Sequence, residues 1–355
     1  MRIAVPRETK EGERRVGLTP AEVSVLAAEG HDVRVERGAG LAIGIADARF
    51  EAAGARLASA DEAWRSELVV KVKEVQPAEL DRVREGPMLF GYQHLAGEPD
   101  RALALVRRRA SAIAYELVCD ERGAFPLLAP MSAIAGRMAV EKAWESLGRA
   151  ASKVLVLGAG HAGLAAAATA RDLGASVVVL TRSASSRDAA AQRLGGGVEC
   201  GLAESAAIER HAIDADVVVG AVFVPGTPTP KLLPRTLVRR MRRGAWIADI
   251  SIDAGGVAET SRATTHAEPT FVDEGVVHYC VPNIPAADPV GASAALARAA
   301  LPFVRRLAAQ GIEAALRADP ALRSGLLLWH GALSHRGIAA EAGLPYTCGF
   351  AAQTT

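Results

Sequence analysis

The sequence predicts an α/β protein built on parallel sheets, and two observations carry that reading. Short apolar runs alternate with helical stretches along most of the chain, the order that crossover helices between parallel strands produce. Several runs, such as VLVL at 154–157 and VVVL at 177–180, are apolar at every residue, as strands covered on both faces must be. At 355 residues the chain has enough length for about two such domains.

The elements follow in order. RIAV near the N-terminus reads as a first strand, and a helix opens at Thr19-Pro20. Thr19 has the N-cap type, Pro20 suits the first helical position, and Glu22 falls three residues after the cap. HDVRVE, ELVVKV, PMLF and SAIAYE supply further strands. A second unit starts near Met131 with the helix MSAIAGRMAVEKAWESL, which leads into KVLVLGAGHAGLAAAATARDLGASVVVL. Later strands are expected at 216–222, 246–250 and 278–281. From about Gly291 the pattern returns to long helix and then a tail. The simplest organisation inserts residues 129–290 as one domain into another made of 1–128 and 291–355.

Composition excludes several classes. Hydrophobic residues make up 50% and the formal net charge is +1, so nothing biases the protein toward nucleic acid or an anionic membrane. The start, MRIAVPRETK, lacks the apolar segment of a signal peptide, and no apolar run reaches the ~20 residues that span a bilayer. Cys119, Cys200, Cys280 and Cys348 lie far apart and form no metal-type or redox pair; they read as small buried residues in a cytoplasmic protein with no metal site.

Gly158-Ala159-Gly160-His161-Ala162-Gly163 follows the run 154–157 and opens a helix. In a dinucleotide site the first glycine makes the turn, the second admits the pyrophosphate, and the third lets helix and strand pack closely. Thr181 lies 23 residues after Gly158, where a ribose-binding acid is expected. A carboxylate there would accept the ribose hydroxyls of NAD and repel the extra phosphate of NADP. Thr181-Arg182-Ser183, with Ser185 and Arg187 nearby, would attract that phosphate, so NADP(H) is favoured and NAD(H) possible. The plainer reading makes Arg182 a solvated loop arginine in an enzyme that tolerates both.

LVVKVKE sets Lys71 and Lys73 on one strand face, and two lysines at the C-terminal end of a strand could hold a carboxylate. Taken alone, such alternation reads as a solvated charged face. His94 in FGYQHLAG follows another strand end and has the right chemistry for proton transfer, although a lone histidine is more often structural. Arg14-Arg15 reads alone as solvated charge, and Asp253 in DISIDAGG as the cap of a turn.

In order, these pieces resemble the alanine dehydrogenase and pyridine-nucleotide transhydrogenase family over nearly the whole chain. VPRETKEGERRVGLTP is similar to its N-terminal signature, KVKE and HLA to its substrate segments, PLLAPMSAIAGRMA to its interdomain helix, and DISIDAGG to the acidic loop beside the nicotinamide. HLA and APMSAIAGRMA favour the dehydrogenase branch. The resemblance implies two Rossmann-like domains, a doubly wound parallel-sheet dinucleotide domain inserted into a discontinuous α/β substrate domain. It further implies that Arg15 and Lys73 bind the substrate, with Tyr92 and Met131 beside it. His94 would be the general acid/base and Asp253 a proton-handling group, while Ser132, the 158–163 loop, Val222 and Asn283 line the cofactor.

The chain departs from the family at several points. Thr181 stands where an acid is usual, and only Gly148–Lys153 join helix to strand where a glycine-rich insert of about fifteen residues is usual in the family. VPNIPAADPVGAS differs from the family's pattern at Pro282 and across 290–293, and Tyr92-Gln93 replace more apolar residues, which leaves the substrate side chain open. The expected function is reversible NAD(P)-dependent oxidative deamination of a small L-amino acid to a 2-oxo acid and ammonia. The expected assembly is a homo-oligomer, dimer or hexamer. The alternatives are an NADPH-dependent imine reductase acting on another amine or imine, and a nucleotide-binding subunit of a transhydrogenase-like assembly.

Overall fold

The computed structural model describes residues 1–148, 152–223 and 228–347. Cys348 and most of the join between Gly148 and Lys153 lie outside the described residues. The chain forms two compact units, Met1–Pro130 with Asp288–Thr355, and Met131–Ala287.

The first unit opens with six strands, β1 (Arg2–Val5), β2 (Asp32–Glu36), β3 (Arg56–Ala58), β4 (Leu68–Val70), β5 (Met88–Gly91) and β6 (Ser111–Ala114). They run parallel in the order β3-β2-β1-β4-β5-β6. Helix α1 (Pro20–Ala28) starts as its sequence dictates: the amide and hydroxyl of Thr19 donate to Glu22 Oε2 at 3.2 and 2.5 Å. The strand order reverses between β1 and β4, and ligands of such sheets bind beyond the C-terminal strand ends at that reversal.

The second unit carries α2 (Ala129–Leu147), β7 (Lys153–Leu157), α3 (His161–Asp172), β8 (Ser176–Thr181), α4 (Ala184–Leu194), β9 (Val198–Leu202), β10 (Val217–Gly220), β11 (Trp246–Asp249), β12 (Thr270–Asp273) and β13 (Val276–Tyr279), α2 from Met131 onward. The sheet order is β12-β13-β11-β10-β7-β8-β9, parallel except for β12, with the reversal between β7 and β10. Val154, Val156, Val177, Val179, Val217 and Val219 face one apolar cluster, while Leu155, Leu157, Leu180, Val218 and Ile247 face another. Both faces are covered, which is why these strands lack polar alternation. The expected α/β class with parallel sheets is what the chain adopts.

The chain then returns to the first unit with α5 (Pro289–Gln310). The expected tail is a correction: β14 (Leu326–Trp329) pairs antiparallel with β6, and β15 (Ala332–Leu333) extends that edge. LLLW is too short to be told from buried helix by periodicity, and its partner strand is more than 200 residues away. The short strands β3, β9 and β12 also lacked a signal, since each is largely half-buried or exposed. Among the described residues, no helix is long and apolar enough to cross a membrane, and no cluster of three or more His, Cys, Asp or Glu could hold a metal.

Candidate active site

The C-terminal ends of β1, β4, β5 and β6 bring together Arg15, Lys73, Tyr92 and His94 with a set of carboxylates. Strand β4 stops at Val70, so Lys71 and Lys73 lie past its end and are both buried, at 3% and 7% exposure. The solvated-face reading of KVKE is therefore wrong: the alternation continues into a buried loop.

The two lysines differ in their partners. Lys71 Nζ is 2.6 Å from Glu79 and 3.5 Å from Glu8, and lies over the Trp64 ring. Burial alone would lower its pKa, but the two carboxylates outweigh it and the net shift is upward. Lys73 has no carboxylate within ion-pair distance among the described residues, its neighbour Glu74 being taken by Lys10 at 2.5 Å. Burial, with Arg15 beside it, pushes the Lys73 pKa down. Lys71 is thus a structural charge, and Lys73 is a buried cation lacking a counter-ion.

Arg15 is 2% exposed, and its Nε and one Nη donate to the two oxygens of Glu13 at 2.7 and 2.6 Å. That fork fixes the guanidinium plane. Burial would raise the Glu13 carboxyl, but Arg15 outweighs it and holds the pKa below its usual value. Arg14 is exposed, in keeping with solvated charge.

Tyr92 donates its hydroxyl to Leu127 O at 2.7 Å, and its ring stacks on His94 with centroids 5.4 Å apart and planes 8° from parallel. His94 itself is in the left-handed region, φ +42°. His94 is exposed as a residue, yet its imidazole is crowded by neighbours; this crowding, then the positive charge of Lys73, hold its pKa down to about 4. His94 is accordingly neutral near pH 7 and able to accept a proton.

Met131, Ser132, Asp253, the glycine loop, Thr181–Ser183, Val222 and Asn283 belong to the second unit. Met131 and Ser132 are in the first turn of α2, Met131 buried and Ser132 half-buried. Gly158 follows β7 with φ +104°, where a Cβ would strike the Ala221 carbonyl; a Cβ on Gly163 would strike the Gly158 carbonyl. At Gly160 a Cβ would meet nothing within 4 Å. The first and third glycines are thus required by packing, and the second leaves open space before the N-terminus of α3, where Ala159 is half-buried and His161 exposed. A pyrophosphate fits that opening. The loop lies at the β7–β10 reversal, and Val222 follows β10 with its amide donating to Ser251 Oγ at 2.9 Å.

Thr181 ends β8 and is buried; Arg182 is exposed, with no carboxylate in ion-pair range among the described residues. Ser183 caps α4 by accepting from the Ser186 amide at 3.2 Å, and its hydroxyl lies 3.1 Å from that of Ser185. Arg187 pairs with Asp188. Asp253 is exposed in the turn Ile250–Ala254 after β11, and Asn283 has φ +54°. The Asp253 turn is anchored by a residue that sequence reasoning missed: fully buried Asp249 accepts from the Val257 amide at 2.7 Å and from Ser261 Oγ at 2.6 Å. Glu8, Glu13, Glu74, Glu79 and Glu116 were missed likewise, because an isolated glutamate in a sequence reads as surface charge.

The sequence matches the Alanine dehydrogenase/PNT, N-terminal domain family over residues 4–135 and the Alanine dehydrogenase/PNT, C-terminal domain family over residues 138–336. The chain belongs to the alanine dehydrogenase/PNT family. Family membership makes it an oxidoreductase and bears out the resemblance read from its ordered motifs. It is 43% identical to the alanine dehydrogenase of Halomonas elongata and 40% identical to that of Mycobacterium tuberculosis, over 98% of each chain. A solved L-alanine dehydrogenase superposes with a TM-score of 0.90 at 41% identity, covering 96% of this chain and 98% of that one. A transhydrogenase from Sinorhizobium meliloti reaches 0.84 at 26% identity, covering 94% and 100%.

Proposed function

We infer that the protein is a dehydrogenase of the alanine dehydrogenase type, interconverting a small L-amino acid and its 2-oxo acid with release or uptake of ammonia, and favouring NADP(H) over NAD(H). The observation that carries this reading is Lys73, a buried cation without a counter-ion among the described residues, beside Arg15 and neutral His94. An anionic substrate completes such a site, since its carboxylate supplies the missing charge.

Arg15, held flat by Glu13, and Lys73 bind and orient the substrate carboxylate and the carbonyl or imine. Bound nicotinamide supplies the acceptor for the hydride leaving Cα. His94 accepts the proton from the water that attacks the resulting iminium carbon, and returns one as ammonia departs. Overall, amino acid, oxidised cofactor and water give 2-oxo acid, ammonium, reduced cofactor and a proton. Asp253 is assigned to proton handling, Tyr92 and Met131 to the substrate side, and Ser132, Gly158–Gly163, Thr181–Ser183, Val222 and Asn283 to the cofactor. The NADP preference rests on Arg182, exposed and without an ion pair among the described residues, where the family has an acid one residue earlier. Assembly as a homo-oligomer belongs to the same reading, as does the cytoplasm, on the free thiols of Cys119, Cys200 and Cys280.

The test is absorbance of the reduced cofactor during incubation with pyruvate, other 2-oxo acids and ammonia. Oxidation that requires both 2-oxo acid and ammonia supports the reading; silence with every 2-oxo acid refutes it. Tyr92, polar beside His94, motivates a second reading as an imine reductase, which turnover on a primary amine without ammonia would favour.

A further inference from the structure

We propose that Glu116 is a positioning residue for His94: its carboxylate clamps the backbone of residues 93 and 94 and thereby fixes the imidazole where it exchanges a proton with the substrate. This rests on the role given to His94 above.

The clamp follows from the sheet. Strands β5 and β6 are parallel neighbours, with Gly91 opposite Ala114, so the two segments leaving their C-terminal ends run side by side. Past β6 the chain makes one tight turn, Tyr115–Leu117, that brings Glu116 to the segment after β5. Its carboxylate accepts the Gln93 amide at 3.1 and 3.2 Å and the His94 amide at 2.7 Å. Two successive amides converge on one anion only if the backbone bends sharply, and here His94 adopts φ +42° to do so. That region is sparsely populated by residues other than glycine, so the conformation persists only where neighbours impose it.

Few other contacts could impose it. The Tyr92 ring supports one face of the imidazole, and Arg101 reaches the His94 carbonyl at 3.4 Å. Neither sets the direction of the peptide between residues 93 and 94. Without the Glu116 anion that peptide is free to return to the right-handed region, which would swing the ring away. Burial raises the Glu116 pKa, while the two amides and Lys73 favour the anion that the clamp requires. The other groups facing His94 are Lys73, Glu74, Lys10, Arg101 and Tyr92.

The experiment is a double-mutant cycle on the full chain, following steady-state turnover with 2-oxo acid, ammonia and reduced cofactor. Glu116→Ala is expected to lower kcat by about 10- to 100-fold, the scale that ~1 Å of misplacement costs. The KM for the 2-oxo acid stays within about twofold, because Arg15 and Lys73 are untouched. Glu116→Gln keeps one acceptor for the two amides and loses less. Because Glu116 acts only through His94, adding Glu116→Ala to His94→Ala lowers kcat no further. Cofactor binding, read by fluorescence of the reduced nicotinamide, stays as in the parent for each variant. If Glu116→Ala does not fold, the same comparisons are made with Glu116→Gln.

Unchanged kcat in the glutamine and alanine variants, a rise in KM alone, or losses that multiply in the double variant would each overturn the proposal. A parent without turnover, or an active His94→Ala, overturns the reading of His94 and this proposal with it; a parent dependent on His94 but indifferent to Glu116 overturns this proposal alone.

Discussion

Arg182→Asp should shift the cofactor preference away from NADPH and toward NADH, and the size of the shift follows from the exposure of the site. Arg182 is exposed and carries no ion pair among the described residues, so none of these is a competing partner to leave when a phosphate arrives. An exposed charge pair is worth about 1 kcal/mol or less. Aspartate removes that attraction and replaces it with a repulsion of similar size, about 2 kcal/mol in all, or roughly 30-fold in the ratio of kcat/KM for NADPH to that for NADH. A gain in NADH use, from a carboxylate able to accept the ribose hydroxyls, would enlarge the change. The assay measures kcat/KM for both cofactors at low and at raised salt. The parent preference should shrink as salt increases, because the pair is exposed. A ratio that moves by less than about threefold would mean that Arg182 is only a loop charge.

Four further outcomes are expected. Lys73→Met should raise the KM for the 2-oxo acid by about 10- to 100-fold while leaving the melting temperature unchanged or higher, since it removes a buried cation with no carboxylate in ion-pair range among the described residues. Lys71→Met should instead destabilise the fold by about 3–5 kcal/mol, because Glu8 and Glu79 lose their shared partner; equal melting of the two variants would refute this division. In alanine oxidation, the acid limb of kcat/KM should lie near the His94 pKa of about 4 in the free enzyme, since the base works neutral, and a limb at the ordinary 6.5 would contradict its crowding. Finally, buried His278 has a pKa lowered by burial, with Nδ1 on the Val276 carbonyl and Nε2 at 2.7 Å from Thr260 Oγ1. The folded state therefore binds fewer protons than the unfolded one below pH 6.5, and stability falls as the pH drops through that range; His278→Phe should flatten the decline in melting temperature.

Much of the fold was legible because it is repeated locally. VLVL and VVVL are apolar on both faces, and Thr19-Pro20 with Glu22 announces a helix start within four residues. The glycines at 158, 160 and 163 were legible for the same reason: strand, turn and helix follow one another without interruption. β14 was not, since the reason LLLW is a strand is the free edge of β6 far away in the chain.

The sequence by itself determined the class, the strand, turn and helix that frame the glycine loop, and the ordered motifs shared with the family, because each is written within a few dozen consecutive residues. It could not separate Lys71 from Lys73, which look alike in KVKE; only the folding of Glu8 and Glu79 onto Lys71 leaves Lys73 without a counter-ion. Nor could it show that Glu13 fixes Arg15, or that Glu116 reaches the amides of Gln93 and His94. A charge costs little at a surface and much in an interior, and which of the two a glutamate meets depends on what the chain brings against it from elsewhere.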